Sequence, residues 1–529
     1  MSRQGFFSIG TAAVILAILT AFGIWYYEAQ KAPIASYNVT GSQEIRQKVC
    51  ELPSGGTYVK FSEDGRHCGY SESLSTGKMD FVIDGVPGPV YDYVDYSSLQ
   101  LSRDGQHYAY IAKNGTHYFA VIDGQEGNPY ESVGFIMPGF SIDGTKFFYI
   151  AHRNKKYILV KNRVEIGIYD DINTQSFRFS PDGNHTAYVA REGDPEAMYG
   201  FMFVDDKEYR IKNGTFSFSI VFSPDSNHFA YIAYGTQRNL FLVLDGKIVE
   251  EIGNNVNLAN PELIFSPNSK KLAYLTYHNR AGIVEYDIAS GAKSENGPYI
   301  EVRYLTFSPD GKRLAYQVTS RAEIGGDQSG GAQSGQYLIV VGDKLGRPYD
   351  AVGAPRFSPD SKSVAYRADK NGFRVGAAKI TTVFNDEEMG DYDYPSSFIP
   401  LMNPQPLSFS SFDILKLPPV FSPDGEKLAY IAADGSKEFV ILGDRRGRSY
   451  DSIYEVSFDN ILFSPDGKII AYVAWRDNKK FIVVGDEEGI GYDDVWGETL
   501  KFSPDNSKIS FVARSGKEVY FVERPLKQR

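Results

Sequence analysis

Residues 463–472 read Phe-Ser-Pro-Asp-Gly-Lys-Ile-Ile-Ala-Tyr. Ser, Pro, Asp and Gly in that order suit a type I β-turn: proline presets φ at the second position, and glycine tolerates the last. The apolar residues on either side read as two strands joined by the turn. The same box, or a near variant, begins at Phe61, Leu101, Phe140, Phe179, Phe222, Phe265, Phe307, Phe357, Phe421, Phe463 and Phe502. Most intervals are 39 to 43 residues, and an aromatic residue stands nine positions after every start, from Tyr70 and Tyr110 to Tyr472 and Phe511.

A third strand follows as a nearly continuous apolar run, such as 81–83, 241–244 or 481–484, which implies burial on both faces. It ends in an Asp-Gly or Gly-Asp turn (Asp84-Gly85, Asp245-Gly246, Gly443-Asp444). A short fourth strand then carries Tyr-Asp, as at Tyr91-Asp92, Tyr349-Asp350 and Tyr450-Asp451. Four antiparallel strands in about 40 residues make one propeller blade, a unit that must stack on neighbours to bury its faces. The fold class is therefore all-β: a β-propeller of eleven four-stranded blades, preceded by one N-terminal transmembrane helix. The last unit lacks its Tyr-Asp strand, and residues 43–52 are the candidate to supply it. Propellers usually close with about four to eight blades. Two rings are therefore expected, five blades in residues 43–255 and six in 256–529.

The box and the Leu-Ala-Tyr pattern after it, as in residues 421–430, resemble the WD-like propeller repeat of the TolB type. The resemblance covers roughly residues 56–525. It implies a propeller and protein partners, but such propellers also serve in peptidases and as stand-alone binding proteins, so it carries little about function.

Residues 6–27 form an uninterrupted apolar run of 22, roughly 33 Å as a helix and enough to span a bilayer. Arg3 precedes it, and Trp25, Tyr26 and Tyr27 close it as an aromatic belt, which places the rest outside the cytoplasm. The expected order is a cytoplasmic N-terminus over 1–5, a signal-anchor helix over 6–27 and a linker over 28–42. A cleaved signal peptide is the alternative. Cys50 and Cys68, the only cysteines, lie in the exported part, where they form a disulfide or remain two inert thiols.

A net charge of −11 disfavours nucleic acid. No nucleophile elbow, zinc-protease helix or phosphate-binding loop is present, so no catalytic residue, cofactor or metal is assigned. His67, His107, His185 and His228 each fall six positions after a box start, in a slot that elsewhere holds Lys or Arg, which reads as a solvated strand edge. The repeated box aspartates are explained by turn chemistry, and the acidic stretch 386–394 reads as a solvated turn.

Two insertions lengthen adjacent blades on the face opposite the box turns: residues 320–336, rich in glycine, and 396–411, with Phe398, Ile399, Leu401, Met402 and Leu407. The second is the candidate partner-binding loop. The expected function is a protein-binding or assembly scaffold of the cell envelope, with protein partners and no enzymatic activity. The alternatives are a propeller enzyme or lectin acting on envelope glycans through a central channel, and a structural subunit of an envelope complex.

Overall fold

The computed structural model describes residues 44–53, 58–193, 199–205, 207–210, 215–216, 220–234, 239–253, 262–277, 281–320, 336–370, 379–393, 419–454 and 461–526. All the regular elements among them are β-strands, arranged as an eleven-blade β-propeller. None is a helix long and apolar enough to cross a membrane, and residues 6–27 lie outside the described residues.

The box turn has the same construction in blade after blade. Ser464 is buried, donates its hydroxyl to Asp466 Oδ1 (2.7 Å) and accepts the N–H of Ile469 (3.0 Å). Asp466 Oδ1 also accepts the N–H of Lys468 (3.2 Å), and the Gly467 N–H donates to the Ser464 carbonyl (2.8 Å). Ser102 with Asp104 and Ser308 with Asp310 repeat the pattern. The turn thus satisfies its own buried polar groups.

The first strand of each blade is its inner edge, because first strands of successive blades approach one another: Val59–Phe61 with Gln100–Leu101, and Ser132–Phe140 with Asp171–Phe179. Four of these strands carry a bulge that the box pattern does not reveal, such as the register break between Trp496 and Lys501. Thr499 caps that bulge, donating to the Trp496 carbonyl (2.7 Å) and accepting the Val512 N–H (2.8 Å).

The fourth strand differs from the sequence reading. In five blades it is two residues long, as at Val86–Pro87 and Glu487–Glu488, and a Gly-x-x-Tyr loop follows. The loop tyrosine returns to the start of the third strand: Tyr91 and Met79 exchange backbone hydrogen bonds of 2.8 and 2.9 Å. The acidic stretch in the eighth blade is likewise a strand, Glu387–Asp393, rather than a solvated turn. Its Glu388 pairs with Lys370 (2.6 Å) and accepts the Tyr349 hydroxyl (3.2 Å).

Tyr-Asp joins one blade to the next. The tyrosine meets the box-start-plus-nine aromatic of the following blade edge-on: Tyr91 with Tyr110 at 6.3 Å, Tyr450 with Tyr472 at 6.2 Å, Tyr492 with Phe511 at 5.9 Å. Such pairs add about 0.5–1.5 kcal/mol each to the burial of their rings. The aspartate caps the hairpin between the second and third strands of the same following blade, Asp92 accepting the Gly115 N–H (2.8 Å) and Asp493 that of Gly516 (2.7 Å). The loop glycine permits the approach, since a Cβ at Gly127 would lie 3.0 Å from the Tyr149 hydroxyl.

Residues Ile45–Glu51 complete the last blade as expected, pairing antiparallel with Glu518–Pro525. They also bring the fourth-strand carboxylate. Glu165 accepts the Tyr130 hydroxyl (2.9 Å) and Glu488 that of Tyr450 (3.0 Å), and Glu44 accepts that of Tyr492 in the same way. Eleven apolar clusters occupy the blade interfaces, each joining two consecutive blades. One spans residue 255, packing Leu244 and Ile252 on Leu263 and Tyr274. Another joins the last blade to the first, packing Val512, Val519 and Phe521 on Cys50, Cys68 and Tyr70.

A disulfide between Cys50 and Cys68, with Cα atoms 6.6 Å apart, ties the closing strand to the first blade. It encloses a loop of 18 residues, for which the loss of unfolded-chain entropy amounts to about 3 kcal/mol. Reduction, or the pair Cys50→Ala and Cys68→Ala, is expected to lower the melting temperature by several degrees. Identical melting of oxidised and reduced protein would contradict this role.

The box turns also predict acid sensitivity. The serine hydroxyl and the turn N–H hold Asp143, Asp360 and Asp505 at about 2, below the ordinary 3.8. A carboxyl lowered in the folded state stabilises fully above its unfolded value and loses that contribution as pH falls toward the folded value. Chemical-denaturation midpoints are expected to hold above pH 4 and to fall between pH 4 and pH 2. A flat profile across that window would count against it.

Candidate functional site

The loop residues Phe398, Ile399, Leu401, Met402 and Leu407, and nearly all of the glycine-rich insertion 320–336, lie outside the described residues. Two other surfaces stand out within them.

The first is aromatic and lies along the inner strands of the first two blades and the turn that follows Tyr93–Val94. Tyr58, Tyr93 and Tyr96 are 49%, 40% and 52% exposed, a large apolar area to leave in solvent. Tyr58 and Tyr96, from different blades, meet edge-on at 6.1 Å. The Lys60 ammonium lies 5.8 Å from the centre of the Tyr58 ring, and burial pushes its pKa down against the opposing pull of Asp95. Asp95 is fixed by its own loop, accepting from the Ser97 N–H (3.0 Å) and hydroxyl (2.7 Å). On the turn side, Glu63 ties three blades together through Arg103 (2.6 Å) and Lys501 (3.1 Å). Trp496 of the last blade packs on Phe61 at 4.7 Å. The rings therefore sit on a rigid support.

The second surface is a pair of clefts on the turn face. One, of about 670 Å³, opens between the fourth and fifth blades and is lined by His185, Lys207, Tyr209, Phe222, His228 and Phe229. The other, of about 460 Å³, opens between the third and fourth blades, with Phe148, Lys161, Tyr169, Tyr188 and Phe203 in its lining. Asp205 borders both. The third and fourth blades carry regular fourth strands, Val164–Tyr169 and Lys207–Arg210, in place of the Gly-x-x-Tyr loop found in five other blades.

The histidines occupy a more specific place than a solvated edge. His67, His107, His185 and His228 each direct Nδ1 to the aspartate of the turn between the third and fourth strands, at 2.7–3.0 Å. The His67 ring also packs under Gly105 in the next blade's turn. These pairs lock two turns of a blade together. Among the described residues no group of three or more His, Cys, Asp or Glu is placed to hold a metal ion.

No protein-family model and no curated protein matches the chain, so the TolB-type resemblance stands without a family match. Solved structures similar to it include a eukaryotic initiation factor (TM-score 0.37, 11% identity, covering 81% of this chain and 100% of that one). An oligogalacturonate lyase in complex with manganese is similar at TM-score 0.27 and 12% identity, over 65% of this chain and 97% of that one. The β-propeller domain of the Trilobed protease from Pyrococcus furiosus is similar at TM-score 0.27 and 10% identity, over 65% and 91%. Likeness at this level concerns the propeller fold and carries no argument about what this chain does.

Proposed function

We propose that the protein is a non-enzymatic protein-binding module of the cell envelope, held in the cytoplasmic membrane by residues 6–27 with its propeller on the extracytoplasmic side. The carrying observation is the exposed trio Tyr58, Tyr93 and Tyr96 on or beside the inner strands of adjacent blades. Tyrosines on a rigid backbone offer large contact area at low entropic cost and dominate the energetics of protein interfaces. The disulfide supports the location, because such bonds persist in oxidising compartments. The apolar loop 396–411 is retained as a further contact surface.

The same reading takes the eleven blades as one ring rather than the two expected from blade number. Two separate rings call for interfaces between the fifth and first blades and between the eleventh and sixth. The apolar clusters instead run across residue 255 and from the last blade to the first.

Photo-cross-linking in intact cells, with the reactive group at Tyr96, tests the function. A discrete protein adduct is expected. Tyr58→Ser with Tyr96→Ser should cut capture of that partner by at least about tenfold, the scale of a truncated hot spot, with the melting temperature preserved. Undiminished capture would remove the tyrosine surface from the reading. Stabilisation of purified protein by envelope glycans with no protein adduct would favour a glycan-acting propeller.

A further inference from the structure

Ten of the eleven blades carry Gly, Ala or Ser eight residues after the box start, and the third carries Phe148. Where alanine stands there it lets the next blade close in, as Ala109 does in the cluster with Phe147 and Tyr149. Phe148 instead pushes a ring toward the fourth blade, against Phe177 at 5.0 Å and Phe179 at 5.6 Å. Its cross-strand partner is Lys161, at a position where neighbouring blades place Ile83, Ile122 or Leu244. The Lys161 ammonium lies 5.7 Å from the centre of the Phe148 ring. Two breaks with the repeat thus fall on one pair, and the cleft of about 460 Å³ opens beside it.

The chemistry of this cleft is lopsided. Its floor is aromatic: the Tyr169 and Tyr188 hydroxyls bond to each other (2.9 Å), and Phe203 stacks on Tyr188 at 5.0 Å and 12°. Those two hydroxyls are therefore spent on each other. Its bordering acid is spent too, since Asp205 accepts the Thr186 N–H (2.9 Å) and pairs with His185 (2.8 Å). Two lysines of the lining form no salt bridge among the described residues, although Asp143 acts on Lys146 at longer range. Lys146 donates only to the carbonyls of Gly183 (2.9 Å) and Asn184 (3.4 Å), and Lys161 has only the Phe148 ring. Many other lysines here are paired, as Lys271 is with Glu285 and Lys508 with Glu523. On a chain of net charge −11, a cleft with an aromatic floor, a largely polar rim and two lysines outside any salt bridge among the described residues is complementary to an anion that carries an apolar group.

The geometry points to this cleft as a binding site for an acidic peptide segment of a partner protein. An apolar or aromatic side chain packs on the half-buried Phe203 and the exposed Ile166 above the buried Phe148 and Tyr169, and the adjoining carboxylate lies between Lys146 and Lys161. The exposed Val164 and Ile166 extend the apolar contact at the outer edge of the third blade. The site is separate from the inner-strand tyrosines and does not depend on them. A C-terminal carboxylate and an acidic side chain offer the same chemistry.

Fluorescence anisotropy with the purified full-length protein tests this, using labelled Gly-Asp-Glu-Phe with a free C-terminus, its amidated form, and Gly-Lys-Lys-Phe. The free acidic peptide is expected to bind and the basic one not to. Affinity should fall as salt is raised. Lys161→Glu should weaken binding at least about tenfold and Lys161→Gln by less, both with unchanged melting. Loss of binding on amidation assigns the carboxylate to a chain terminus, and retained binding assigns it to an acidic side chain. Equal binding of acidic and basic peptides, no binding of either, or unchanged affinity in a folded Lys161→Glu protein would overturn the proposal.

Discussion

The tyrosine that leaves one blade and packs edge-on against the aromatic residue of the next is the contact on which the architecture depends. A four-stranded sheet of about 40 residues cannot bury both faces alone. Each blade therefore draws its stability from two neighbours, and the Tyr-Asp pair fixes that relation twice. Tyr450 enters the interface against Tyr472, while Asp493 and its equivalents cap a hairpin of the following blade. Where it occurs, one dipeptide thus sets both the packing and the relative position of consecutive sheets.

That arrangement leaves a problem at the ends, and the chain solves it with the same parts. The strand Ile45–Glu51 supplies the missing outer strand, and Glu44 supplies the carboxylate that Glu165 and Glu488 supply elsewhere. In the last blade Phe511 lacks the tyrosine hydroxyl, and the buried Arg524 donates to the Ile482 carbonyl (3.2 Å). The disulfide then links this closing strand to the first blade. The contact between the last and first blades buries an apolar cluster as the others do, with the disulfide in place of the Tyr-Asp pair.

Most of the fold was legible because its signals are local and repeated. The Ser-Pro-Asp-Gly turn, the four-strand unit, the number of blades and the role of residues 43–52 all follow from short patterns with direct turn or strand chemistry. What escaped depends on contacts between blades. The bulge at Trp496 and Lys501 leaves no mark in the box, and the Gly-x-x-Tyr loop reads as a strand until Tyr91 is seen to return to Met79. The histidine slot is partly solvated, as its mixed occupancy implies, but its aspartate partner is hidden from the box pattern because it stands 16 to 20 residues away, as from His185 to Asp205. The cleft beside Phe148 had a signal in the repeat itself, a large ring in a column of small residues. Its meaning needs the partner Lys161 and the neighbouring blade to be in view.

Blades packed on their neighbours give binding surfaces a fixed frame, and both surfaces described above are places where the repeat is broken or left uncovered. The proposed one-ring reading rests on cyclic packing of the eleven blades, the contact between last and first included. Electron cryo-microscopy of the purified protein, viewed along the propeller axis, measures this directly. A single ring of eleven spokes, with the first and last blades in contact, is the expected image. Two smaller rings, or an open arc with a gap beside Cys50 and Cys68, would contradict it.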